Sequence, residues 1–242
     1  DDAASVKPDI ICLTELCELE GVDRQSAGGY ISTTESIPDG PTSALISQKA
    51  KQYGTYIIAG LVERDGIHIF NTAAIFGRDG ELVGKYRKTH LTFGEIKLGI
   101  SCGDEYPVFD LDFGKIAIHI CYDEWFPEVS RLYAHKGAEI LFLPVAGGKP
   151  ITWRTRAMDS NIYFVSSSAT PPSMIIDSSG VILAETHYSG FVYADLNLDW
   201  RKVNWYVDPT LTYGMPGIDP RMRDVIDHNC TSELAKLLIE KK

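Results

Sequence analysis

Apolar residues along this chain gather into short runs bounded by turn residues, and most of the runs are nearly continuous rather than alternating. DIICLTE (9–15), TYIIAGLVE (55–63), IHIFNTAAIFG (67–77), KIAIHIC (115–121), EILFLPVA (139–146), IYFVSSSA (162–169), SMIIDSSG (173–180) and GFVYADLN (190–197) read as strands. Runs rich in Ile, Val and Phe with little polar interruption mark strands covered on both faces. Arg64-Asp65-Gly66 joins 55–63 to 67–77, and Asp177-Ser178-Ser179-Gly180 joins 173–176 to 181–184, so antiparallel hairpins are expected there. Helical spacing occurs at 41–53, 127–137, 151–161 and 231–241; the second of these starts with Pro127 and stops at Gly137. DDAASVK (1–7) reads as the last turns of a helix running into the first strand. With no repeat and no linker rich in Pro, Gly or Ser, the pattern predicts one α/β domain over 1–242, its sheets covered by helices.

Composition narrows the function. Hydrophobic residues make up 44% and charged residues 23%, enough for a sizeable core. A formal charge of −10 argues against nucleic acid or an anionic membrane as the main partner. No apolar run approaches the roughly 20 residues of a membrane helix. Five scattered cysteines (12, 17, 102, 121 and 230) without a CxxC pair point to reduced thiols and a cytoplasmic setting.

Candidate chemistry centres on IAIHICYDEWFPE (116–128). A strand leads into Cys121, then a turn into a proline-started helix. A thiol at a strand's exit is firmly held yet able to face a cleft, which suits a nucleophile, although buried cysteines are more often inert packing. Glu15 ends the run IICLT, where open α/β folds place their sites, and partial desolvation would suit it as a general base. A solvated or ion-paired carboxylate is the plainer alternative. Lys88 lies among Lys85, Arg87 and His90 in GKYRKTHL (84–91), either a solvated basic turn or an ammonium able to steady an oxyanion and a thiolate. Together the three make a coherent device: a base removes the thiol proton, the thiolate attacks carbon, and the ammonium balances the charge.

The segments holding Glu15, Lys88 and Cys121, in that order along the chain, resemble the nitrilase superfamily of carbon–nitrogen hydrolases. FNTAAIFGRDGELVGKYRKTHL (70–91), PVFDLDFGKIAIHICYDEWFPE (107–128), RLYAHKGAEILFLP (131–144), WRTRAMDSNIYFVSSS (153–168) and SMIIDSSGVILAE (173–185) extend the likeness over most of the chain. The resemblance implies a four-layer αββα sandwich of two mixed sheets and a catalytic triad of Glu15, Lys88 and Cys121. It implies an oxyanion hole from Lys88 and the backbone N–H of Tyr122. Glu95 matches a second glutamate that positions lysine and substrate, a surface glutamate being the alternative. No cofactor or metal is implied. Homodimers or higher oligomers are expected, and WRKVNWYVDPTLTYG (200–214) reads as an arm reaching a partner subunit or as a surface-packing loop.

Two departures stand out. Family members carry a further strand and helix ahead of the Glu15 segment, and 144–153, 166–173 and 185–191 are shorter than expected. His119 alternates with Cys121 and Asp123 on one predicted strand face; a core histidine is favoured over a metal ligand because no fourth ligand presents itself. Cys121-Tyr122-Asp123, rather than Cys-Trp-Glu, resembles the amidase and carbamoylase branches. The expectation is hydrolysis of a small amide or N-carbamoyl compound through a thioester, with ammonia released. The competing readings are a nitrile substrate, a catalytically silent binding or scaffold protein, and a thiol redox protein using Cys102.

Overall fold

The computed structural model describes residues 1–19, 27–188 and 190–199. Two sheets form the centre. The first runs in the order β1 (Ile10–Cys12), β2 (Tyr56–Asp65), β3 (His68–Phe76), β4 (Leu82–Arg87), with β1 parallel to β2 and the rest an antiparallel meander. The second comprises β5 (Phe109–Leu111), β6 (Gly114–Ile118), β7 (Ile140–Val145), β8 (Tyr163–Ser168), β9 (Met174–Ile176) and β10 (Ile182–Glu185), ordered β10-β9-β8-β7-β6-β5. Its middle strands β6, β7 and β8 are parallel and its edges antiparallel. The helices are α1 (Ala27–Ser32), α2 (Pro41–Tyr53), α3 (Phe93–Lys97), α4 (Pro127–His135) and α5 (Pro150–Ser160).

Strand alternation distributes the apolar side chains into layers. Ile57, Ala59 and Leu61 of β2 pack with Ala50 of α2 on one face. Ile58, on the opposite face, joins Ala73, Ile75 and Tyr86 against Ile116, Ile118, Ile140 and Phe142 of the second sheet. Beyond that sheet, Ala117, Leu141, Leu143 and Phe164 meet Val129 and Tyr133 of α4 and Trp153 and Ala157 of α5. The result is helix, sheet, sheet, helix: the four-layer sandwich expected. Each fully buried Ile or Leu in these layers contributes roughly 1.5–3 kcal/mol.

Helix boundaries follow local chemistry. Gly40 offers α2 no capping side chain; instead the Glu35 carboxylate accepts from Thr42 N (2.9 Å), Ser43 N (2.7 Å) and Ser43 Oγ (2.6 Å). A negative group at that end also complements the helix dipole. A Cβ at position 40 would fall 2.4 Å from Glu35 Cβ, so glycine is required by close approach.

Several expectations need correction. The first strand is Ile10–Cys12 rather than 9–15, because the chain leaves the sheet to turn through Leu16 at φ 50°. β6 ends at Ile118, and Cys121 opens a 3-10 helix, Cys121–Trp125. Residues 190–197 form no strand. They alternate in burial, with Val192, Ala194 and Leu196 turned inward, but they join neither ladder. β4, α3 and β5 were not predicted. The region 173–180 resolves into β9 and a turn, with β10 completing the expected hairpin. The predicted arm at 200–214 and helix at 231–241 lie outside the described residues.

Candidate active site

Glu15, Lys88, Glu95 and Cys121 come from four separate segments and converge. On β4, alternation sends Lys85 and Arg87 to one face, where both pair with the buried Glu63, and sends Tyr86 inward. Lys88, the next residue with that parity, follows it into the interior. Its Nζ lies 3.0 Å from Glu15 Oε1 and 3.0 Å from both oxygens of Glu95. The basic turn of the sequence is therefore split, with Lys88 1% exposed. His90, the fourth basic group, contacts Asp123 instead.

Glu15 is brought in by a close backbone approach. Gly60 of β2 sits beneath it, and a Cβ there would meet Thr14 O at 2.7 Å and Leu16 N at 2.8 Å. Ala146 N, just past β7, donates to Glu15 Oε2 at 3.0 Å. Glu95 is placed by its helix. It is the N3 residue of α3 in a reciprocal capping box, its Oε2 accepting from Thr92 N (2.8 Å) and Thr92 Oγ1 (2.9 Å).

Asn71, which sequence reasoning missed, joins the two carboxylates. Its Nδ2 donates to Glu15 Oε1 (2.9 Å) and Glu95 Oε1 (2.8 Å). Ionised carboxylates only accept, so both amide hydrogens face them and Oδ1 must point away. The available signal was an Asn inside the apolar run FNTAAIF, where a polar side chain needs buried partners.

Cys121 takes φ 44°, in the left-handed region that a residue with a Cβ enters at a cost and that favours glycine. Its side chain packs at the junction of the inter-sheet core and the α4/α5 layer. Burial pushes the thiol up to about 12; the Glu15 charge adds to this, while Lys88 and the Ala146 N–H oppose it. The sulfur therefore rests protonated, close enough to Glu15 and Lys88 to feel both charges. Burial works against the Lys88 charge, but Glu15 and Glu95 outweigh it and hold the ammonium well above its ordinary range.

Asp123 locks the cysteine loop to the lysine loop. Fully buried, it accepts from Ile120 N (2.9 Å), Tyr86 Oη (2.8 Å) and His90 N (3.0 Å). Burial disfavours its charge, yet the His90 contact, the nearby His119 and these donors leave its affinity for protons below the usual carboxylate value. Tyr122, by contrast, is exposed, its ring edge-on to Phe126. Its N–H lies in the first turn of the 3-10 helix, where backbone donors have no intrahelical acceptor.

The predicted His119-Cys121-Asp123 face does not form, since the 3-10 helix ends the alternation and Asp123 turns back toward Ile120 N. His119 is fully buried beside the Tyr133 ring, and burial lowers it to about 4. Among the described residues no cluster of three His, Cys, Asp or Glu could hold a metal ion, and no helix is long and apolar enough to cross a membrane. A cavity of about 580 Å³ opens elsewhere, between β1, β7–β9 and the extended segment 190–196. Cys121, Lys88 and Glu95 do not line it.

The family model for carbon–nitrogen hydrolases matches residues 3–202. The chain belongs to the carbon–nitrogen hydrolase family. It is 34% identical to omega-amidase NIT2-B of Xenopus laevis over 69% of this chain and 70% of the relative. It is 33% identical to human omega-amidase NIT2, over 68% of this chain and 69% of the relative. Among solved structures it is similar to Saccharomyces cerevisiae Nit3, a member of branch 10 of the nitrilase superfamily. That match has a TM-score of 0.67 at 27% identity and covers 78% of this chain and 77% of the other. An amidase from Nesterenkonia sp. shares the fold at a TM-score of 0.70 and 22% identity, covering 83% of this chain and 82% of the other. A carbon–nitrogen hydrolase is thus amidase-like in its relatives and nitrilase-like in its sandwich.

Proposed function

We propose that this hydrolase cleaves the carbon–nitrogen bond of a small amide or N-carbamoyl compound with Glu15, Lys88 and Cys121, through a thioester. The observation that carries the reading is the convergence of buried groups: Lys88 Nζ lies 3.0 Å from Glu15 Oε1, and both charges act on the Cys121 thiol. A thiol pushed up to about 12 needs a base at the moment of attack, and Glu15 is in position to be that base.

For an amide, Glu15 takes the thiol proton as sulfur bonds to the carbonyl carbon. The Lys88 ammonium and the Tyr122 N–H stabilise the oxyanion. Glu15 returns the proton to nitrogen, the carbon–nitrogen bond breaks, and ammonia leaves. Water then gives a proton to Glu15 and attacks the thioester, and the thiol is regenerated beside a carboxylic acid. Glu95 and Asn71 keep Lys88 and Glu15 in register throughout.

Ammonia release tests this, using the parent and Cys121→Ala on small amides, N-carbamoyl amino acids and nitriles. Release by the parent alone is expected, with an amide or carbamoyl compound ahead. A nitrile as best substrate would move the assignment to nitrile hydrolysis. Equal release by Cys121→Ala would overturn the mechanism. Silence from the parent across the panel would favour a binding role.

A further inference from the structure

Among the described residues, the Tyr30 hydroxyl and Asn71 Oδ1 are buried with no hydrogen-bond partner. Tyr30, on α1, is 3% exposed and packs with Leu16, Leu19, Val62 and Ile100, with Leu91 and Leu98 alongside. Leu16 adjoins Glu15, while Leu91, Leu98 and Ile100 bracket Glu95, so the ring sits where the two carboxylate segments meet. Val62 pairs directly with Asn71 across β2 and β3. Residues opposite one another in an antiparallel pair project from the same face, so the Asn71 side chain leaves the sheet on the face where Tyr30 packs. The charged groups acting on the hydroxyl are Glu95, then Glu15, Lys88 and Glu18, while burial keeps it protonated.

We propose that Tyr30 is a positioning residue of the active site, its hydroxyl donating to one internal water that in turn donates to Asn71 Oδ1. A phenol that stays protonated is a permanent donor and the amide oxygen a permanent acceptor, so a water between them is satisfied on both sides. The bridge fixes the plane of the Asn71 amide, whose two hydrogens hold Glu15 and Glu95. This role rests on the assignment of Glu15 as base, but not on the identity of the substrate.

Tyr30→Phe keeps the ring and removes only the hydroxyl. Loosening Asn71 weakens its donation to Glu15, so the carboxylate takes up a proton more readily. The acid limb of the pH profile should move to higher pH. A drop in kcat of about three- to tenfold is expected with KM unchanged, the size of one hydrogen bond. The substrate-independent readout is the rate of Cys121 alkylation by iodoacetamide against pH, followed on the Cys121 peptide by mass spectrometry. An acid limb that shifts upward in Tyr30→Phe supports the role even if no amide is turned over. An acid limb identical to the parent's overturns it, including when the variant melts earlier, since that would make Tyr30 a packing residue only. Failure of the proposed reaction would show separately, as silence of the parent toward every substrate.

Discussion

Replacing Lys88 by Met probes the charge balance of the site directly. The ammonium is 1% exposed and lies 3.0 Å from carboxylate oxygens of both Glu15 and Glu95. At an effective dielectric constant of about 20 each attraction is worth about 5–6 kcal/mol before the ammonium's own desolvation is set against it. Removing one partner of a buried pair costs about 3–5 kcal/mol, because the other charge is left uncompensated. Here two carboxylates remain, both joined to Asn71, so the folded variant should bind a proton near neutral pH that the unfolded chain does not. Stability then falls as pH rises wherever the native state holds more protons. In the parent the sign is the same but the window lies higher. The Lys88 contribution is fully present below its unfolded value of 10.5 and is lost only as pH rises through the higher folded value. Urea unfolding of parent and Lys88→Met at pH 5, 6 and 7 measures this, with the gap widening from pH 5 to 7. Adding Glu95→Gln removes one of the two repelling charges and should recover about half of the loss near neutral pH. A gap independent of pH, or a double variant no more stable than the single one, would refute the reasoning.

Two further outcomes follow from the same contacts. Gly60→Ala should destabilise by about 1–3 kcal/mol and reduce turnover as well, because the new methyl presses on the backbone carrying Glu15; unchanged melting together with unchanged turnover would count against that close approach. His119 carries a folded value of about 4 against 6.5, so the unfolded chain binds the extra proton between these limits and stability is lost as pH falls through them. His119→Leu should remove a loss of about 3 kcal/mol on acidification from pH 6.5 to 4, seen as a flatter urea midpoint against pH.

How legible the fold and site were depended on whether the signal was local. Pro41 and Gly54 bound α2 by fixed backbone preferences, and 41–53 was read without error. Lys88 and Cys121 lie in segments whose residue order is distinctive, and the sequence marked both. Segment 190–197 shows the limit of periodicity. Its alternation truly reports one-sided burial, with Leu196 packed on the inter-sheet core, but hydrogen-bonded pairing depends on where neighbouring strands lie. Asn71 and Tyr30 escaped notice for a related reason. Each matters only through what faces it, Asn71 across two carboxylates and Tyr30 across a strand pair. The short β5 and α3 carry too few residues for a period to register.

The capping box of α3 has an implication for assembly. Glu95 serves two masters with one carboxylate, closing the first turn of its helix on Thr92 and clasping Lys88. Until that turn forms, the clasp has no fixed address, and Lys88 keeps only its contact with Glu15. On the proposed mechanism, chemistry is thereby made conditional on local folding: a half-formed chain would carry all the proposed reactive groups and yet hold them less closely together.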